Sequence, residues 1–201
     1  MACGGLKPPT LHNGNGLITY GLAGFSYYSS RTRMALSGTL IDHNQLVRVK
    51  GEAWMDHQWG NFLTLGGGGW DWFSIQLSNN TEMMLYLIRD ATGKVVSTYI
   101  GYIGADASDT LLPASVLHVT VLNHWTSQAT GATYPSGWRL EISDPHLRAS
   151  LTLMPELQDQ ELRAFQSTGN SYWEGAVSIQ GRSGDSAVHG EGYVELTGYA
   201  R

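Results

Sequence analysis

The chain has 201 residues, a formal charge of −5, 14% charged residues and an aromatic complement of 7 Trp, 10 Tyr and 4 Phe. That length suits one large all-β barrel or sandwich with its connections, and the charge content lies well below the roughly 25% of an average soluble domain. The net negative charge and the absence of any Lys/Arg run exclude the electrostatic footprint of nucleic-acid binding, while the scarcity of charge implies that some aromatic and apolar surface faces a ligand or another protein surface.

The first residues, MACGGLKPP, lack a basic n-region and an apolar h-region, and no run approaches about 18 apolar residues. We therefore expect a soluble chain without an export signal. Its compartment stays unassigned, and a membrane-peripheral location stays open. Cys3 is the single cysteine, which excludes an intramolecular disulfide and a Cys-based metal cluster. Residues 1–22 are rich in Gly, Pro and Asn and show neither a 2- nor a 3.6-residue period, so they read as an arm or linker before a barrel domain at 23–201.

From there the sequence is a succession of β-branched and aromatic runs closed by Gly, Pro, Asn or Asp, among them RMALSGTL, LVRVKGEAWMDHQW, GWDWFSIQL, EMMLYLIRD, GWRLEIS, YWEGAVSIQG and GYVELTGYA. The pattern predicts an antiparallel all-β barrel of about 8–10 strands. SNNTE and Asp90-Ala91-Thr92-Gly93 read as hairpin loops, and the glycines at 66–69 as a loop or close backbone approach. One short helix is a candidate at Pro155–Phe165, although that stretch reads equally well as a polar turn between strands.

Side chains alternate along a strand, and the more apolar set should face the barrel interior. In GEAWMDHQWGNF, Glu52, Trp54, Asp56 and Gln58 are expected outside, with Met55, His57 and Trp59 inside. In GWDWFSIQL, Asp71, Phe73, Ile75 and Leu77 form the inner set and Trp70, Trp72, Ser74 and Gln76 the outer. Met83, Leu85 and Leu87, then Trp173, Val177 and Ile179, then Val194 and Leu196 complete the interior.

His57 and Asp71 are the only ionisable groups in these inward sets. Their burial costs several kcal/mol unless they are hydrogen-bonded. Either they simply satisfy each other and the backbone, or the apolar cavity raises the carboxyl pKa so that it can donate a proton. Asp56 stays a candidate because a bulge would turn it inward. Arg31 and Arg33, beside Tyr27 and Tyr28, form either a solvated edge or a rim that orients a ligand. No GxSxG, HExxH, P-loop or GxGxxG motif is present. His118 and His124 would lie about 20 Å apart on one strand, too far to share a metal.

Taken in order, SYYSSRTRMALSGTL, GEAWMDHQWGNF, GWDWFSIQL, YWEGAVSIQG and GEGYVELTGY resemble the carotenoid 1,2-hydratase/AttH family, the hydroxyneurosporene synthase group. The resemblance implies a lipocalin-like barrel corresponding to the C-terminal half of tandem-barrel proteins, with a second lipocalin-like domain or a homodimer as partner. It also implies cofactor-free, acid-catalysed hydration, isomerisation or cyclisation of a hydrophobic terpenoid, polyene or polyketide-like molecule. In that chemistry Asp71, or else Asp56, is the proton donor and His57 orients it or the water. Trp59, Trp70 and Trp72 are the aromatic walls, with Tyr28, Tyr172 and Trp173 as further substrate contacts, and neither metal nor cofactor takes part. A barrel that binds a hydrophobic ligand without chemistry is the alternative.

Overall fold

The computed structural model describes residues 1–19, 24–62, 68–164 and 170–200. It is all-β and antiparallel, and it divides into two compact units, Met1–Leu63 with Asp106–Asp109, and Thr64–Ala105 with Thr110–Arg201.

The larger unit is built on a ten-stranded, lipocalin-like sheet. Its strands are β6 (Gly69–Leu77), β7 (Glu82–Arg89), β8 (Val95–Ile103), β9 (Asp109–Leu111), β10 (Leu117–Val121), β13 (Trp138–Ser143), β14 (Arg148–Pro155), β15 (Glu161–Ala164), β16 (Asn170–Ser183) and β17 (Ser186–Leu196). They follow the order β10-β13-β14-β16-β17-β6-β7-β8-β9, with β15 added to β16. A separate hairpin pairs β11 (His124–Thr126) with β12 (Thr133–Pro135).

Alternation builds its core. Phe73, Ile75 and Leu77, Met83 and Leu85, Trp138 and Leu140, Leu151 and Leu153, Val177 and Ile179, and Val194 and Leu196 are all essentially inaccessible. Each such side chain contributes about 1.5–3 kcal/mol by leaving water. Phe73 meets Trp138 edge-on, ring centroids 5.5 Å apart. The buried Glu161 carboxylate accepts from Ser127 Oγ (2.6 Å), Thr130 Oγ1 (2.6 Å) and Tyr134 OH (2.9 Å), which ties the β11–β12 hairpin to β15 and meets the charge's need for donors.

The smaller unit centres on a long hairpin of β4 (Gly24–Asp42) and β5 (Gln45–Phe62). β1 (Ala2–Gly5), β2 (Thr10–Leu11) and β3 (Leu17–Thr19) each pair with β4. Three short strands and a 3-10 turn thus occupy part of residues 1–19, which the sequence suggested as an arm or linker. These strands are only two to four residues long, too short to show a period. Of the two readings of Pro155–Phe165, the polar turn between strands holds as far as residue 164: β14 ends at Pro155 and β15 begins at Glu161. Phe165, with glycines 66 and 67 and residues 20–22 of the expected arm, lies outside the described residues. Among the described residues no helix is long and apolar enough to cross a membrane.

Candidate active site

In the smaller unit, pairing of β2 with β4 brings the 3-10 turn His12–Gly14 beside the middle of β4. His12 is fully buried and stacks on Tyr28 at a centroid distance of 3.6 Å and an interplanar angle of 7°. Its Nε2 lies 2.9 Å from Ser30 Oγ. Asp56 sits opposite Ser30 in the β4–β5 register. Its carboxylate accepts from Ser30 Oγ (2.5 Å), Tyr28 OH (2.7 Å) and Trp54 Nε1 (2.8 Å). Because Ser30 spends its one proton on Asp56, His12 Nε2 must be the donor to Ser30, which fixes the imidazole tautomer.

Burial raises the Asp56 pKa above the usual carboxylate value, and the hydrogen bonds from Ser30, Tyr28 and Trp54 oppose that rise. The residue as a whole is nevertheless exposed. The carboxyl group is enclosed by its donors while an approach from solvent remains. Burial also lowers His12 to about 3, so it is neutral at physiological pH.

Alternation predicts this arrangement only in part: Glu52, Asp56 and Gln58 are exposed as expected, yet their face carries the hydrogen-bonded cluster. The strands do alternate, but Asp56, Gln58 and Trp54 share a face with the buried Ser26, Tyr28 and Ser30, and Gln58 Nε2 donates to Ser26 Oγ at 2.9 Å. His57 and Trp59, expected inside, are exposed, Trp59 at 49%. They lie with Tyr27 and Phe25 in an aromatic ladder, with centroid distances of 4.4 Å for His57–Trp59, 5.6 Å for Tyr27–Trp59 and 5.8 Å for Phe25–Tyr27. No bulge was needed to bring Asp56 to the buried side, because that face is hydrogen-bonded rather than apolar. Arg33 is likewise buried and donates to Glu52.

In the larger unit, Asp71 is 8% exposed, as its inward register predicts. It does not stand alone: Arg89 approaches its Oδ1 through Nε (3.2 Å) and Nη2 (3.1 Å), and Tyr199 OH lies 3.0 and 3.1 Å from its two oxygens. Arg89 lies over the Tyr199 ring at 4.1 Å and also donates from Nη2 to the Thr197 carbonyl at 2.5 Å. Burial pushes the Asp71 pKa up, while the Arg89 charge and the Tyr199 and Arg89 hydrogen bonds pull it back. Trp70 and Trp72 flank Asp71 on β6 and are half-buried on its other face. Trp173, at 1% exposure, belongs to the core and donates to the Gln158 carbonyl at 2.8 Å, whereas Tyr172 is half-buried on the opposite face.

His12, Ser30, Arg89 and Tyr199 escaped the sequence reading. Only Arg89 left a usable signal, a cation closing the apolar run EMMLYLIRD two residues beyond the inward Leu87. His118 and His124 are exposed on different strands, and no group of three or more His, Cys, Asp or Glu suited to a metal occurs among the described residues.

The antiparallel sheets place the chain in the class of all-β, lipocalin-like proteins. The chain belongs to the AttH-like family, whose profile matches residues 3–199. It is similar to the crystal structure of a Nitrosomonas europaea protein assigned to AttH (28% identity, TM-score 0.85), covering 99% of this chain and 60% of that one. Kievitone hydratase from Nectria haematococca shares the fold at 23% identity and a TM-score of 0.76, over 95% of this chain and 58% of that one. CghA in complex with Sch210972 shares it more distantly, at 12% identity and a TM-score of 0.50, over 89% of this chain and 55% of that one. The chain thus spans about 60% of the length of these relatives. No curated protein matches the sequence.

Proposed function

We propose that the protein is a hydratase- or isomerase-type enzyme domain that protonates a carbon–carbon double bond of a small hydrophobic substrate, with Asp56 as the acid. The observation that carries this reading is the burial of the Asp56 carboxyl group with no cation beside it, Ser30, Tyr28 and Trp54 being neutral: burial raises its pKa, and their hydrogen bonds offset that rise only in part. A general acid must hold its proton at the working pH. Asp71 is the poorer candidate, since protonating it would strand the Arg89 guanidinium, whose side chain is only 9% exposed.

In hydration, Asp56 gives its proton to one alkene carbon and becomes a carboxylate. Water bonds to the resulting cation and returns a proton to that carboxylate, so the sum is addition of water and the acid is restored. In isomerisation the proton leaves from a neighbouring carbon instead. Trp54, half-buried with its indole N–H committed to Asp56, offers an aromatic face to the cation. Such chemistry calls for no cofactor. Family membership and the hydratase among the fold neighbours support this class, and a terpenoid, polyene or polyketide-like substrate is what the family resemblance suggests.

The test is incubation with isoprenoid and polyene alkenes in D2O, followed by mass spectrometry. Turnover should place deuterium on carbon. Asp56→Asn should lose at least about 100-fold in rate, in keeping with loss of a general acid. Full activity in Asp56→Asn would overturn the assignment, and binding without turnover in the native protein would favour a carrier.

A further inference from the structure

The two ends of the ten-stranded order, β8 with β9 and β10, do not pair. Side chains from both ends nevertheless line one open pocket of about 350 Å³ within the larger unit. β9 covers only the distal half of β8, where Leu112 N donates to the Ile100 carbonyl at 2.9 Å. Along the other half, Val95 and Thr98 face the pocket together with Leu117, Val119 and Val121 of β10. At its inner end stands Asp71, in register with Leu87 on β7.

We propose that this seam binds a neutral apolar alcohol or phenol, its hydroxyl donating to Asp71 and its hydrocarbon body lying against Leu87, Val95, Leu117, Val119 and Val121. The pocket falls at the lower end of the ~300–1,000 Å³ of small-molecule sites, mostly apolar walls with a few polar groups being their usual plan; here Thr98 on the wall and Asp71 supply them. The polar end is selective. Asp71 Oδ1 takes both Arg89 contacts, the single Tyr199 hydroxyl proton is shared between Oδ1 (3.0 Å) and Oδ2 (3.1 Å), and Oδ2 keeps lone-pair capacity for a further donor. Arg89 offsets the carboxylate charge, so the floor is neutral overall and gains nothing from a ligand ion. A hydroxyl supplies what Oδ2 can accept; an ether or a bare hydrocarbon does not.

This inference rests on the larger unit alone and stands whether or not Asp56 is an acid. Calorimetric titration of the whole chain with naphthalen-2-ol and with 2-methoxynaphthalene tests it. The phenol should bind at about 10–100 μM, a strength suited to so few atoms, and the methyl ether at least about tenfold more weakly, as loss of a hydrogen bond to a charged group predicts. Val119→Trp, which fills the seam from a half-buried position, should remove binding of both probes while the circular dichroism spectrum is unchanged. In Asp71→Asn, if it folds, the preference for phenol over ether should shrink. No binding, equal affinity for the two probes, or binding that survives Val119→Trp in a folded protein would each overturn the proposal, and these outcomes need no information from Asp71→Asn.

Discussion

His12 has no solvent exposure and packs flat on Tyr28, so a proton on its ring would bring a cation into an interior held together by Ser30 and Asp56. The folded protein takes that proton only near pH 3, whereas the unfolded chain takes it near 6.5. Stability from the neutral imidazole is therefore complete above pH 6.5 and drains away as pH falls toward 3. Over that window it should change by about 1.4 kcal/mol per pH unit. Asp56 and Asp71, both shifted upward, act in the opposite sense, losing stability as pH rises through their raised pKa values. Comparison with His12→Gln isolates the histidine: the native protein's unfolding free energy, from urea titrations at pH 7, 6, 5 and 4, should fall more steeply than the variant's. Parallel profiles would sink the claim. Nothing in TLHNGNG announced this residue, because a histidine in a short turn carries no periodic signature. Asp56 could be kept from the sequence only as a second candidate behind Asp71, because alternation gave no sign of the hydrogen-bonded cluster it joins. Activity resting on a protonated Asp56 should decline as pH rises through its raised pKa, which a pH–rate profile of the native enzyme would show.

Strands in the larger unit could be read from hydropathy because one face of each is almost wholly apolar: Phe73, Ile75 and Leu77 on β6, Val177 and Ile179 on β16, Val194 and Leu196 on β17. β5 defeated the same reasoning. Its two faces carry Met55, His57 and Trp59 against Trp54, Asp56 and Gln58; residues of both are exposed, and the second is held to β4 by hydrogen bonds rather than by hydrophobic burial. Glycines on β17 carry a further element-level constraint. Gly192 pairs with Ile75, and a Cβ there would press on the Ser74 carbonyl oxygen while meeting Ile179 Cδ1 at 3.1 Å and Val177 Cγ2 at 3.2 Å. A backbone oxygen cannot rotate away as a side chain does. Gly192→Ala should therefore cost about 1–3 kcal/mol by overpacking, whereas Gly93→Ala, with open space around its Cβ, carries only the strain of its +86° φ. Urea midpoints of the two variants separate packing from strain, and a Gly192→Ala protein as stable as the native one would mean that β17 is not seated this closely on β6.

The whole chain combines sparse charge with an apolar hairpin tip. Ile41 and Leu46 face each other across β4 and β5 at 76% and 72% exposure, with Leu40 and Val47 next to them at 42% and 41%. Near the isoelectric point of about 5.7 the net charge that keeps molecules apart vanishes. Copies of the chain should then associate through this tip, which would serve the homodimer that the sequence left open as an alternative to a second lipocalin-like domain. Replacing Ile41 by Lys and Leu46 by Glu puts opposite charges in a directly paired position and adds one charge of each sign, so the net charge is unaltered. Any gain in dispersity must therefore come from removal of the apolar contact and not from added repulsion. Light scattering between pH 8 and 5 should rise steeply for the native chain and far less for the double variant, with folding stability within about 0.5 kcal/mol because both positions are on the surface. If both proteins scatter alike, self-association lies elsewhere on the molecule, and the aromatic ladder of Phe25, Tyr27, His57 and Trp59 becomes the next surface to charge, with Trp59→Glu as the first change.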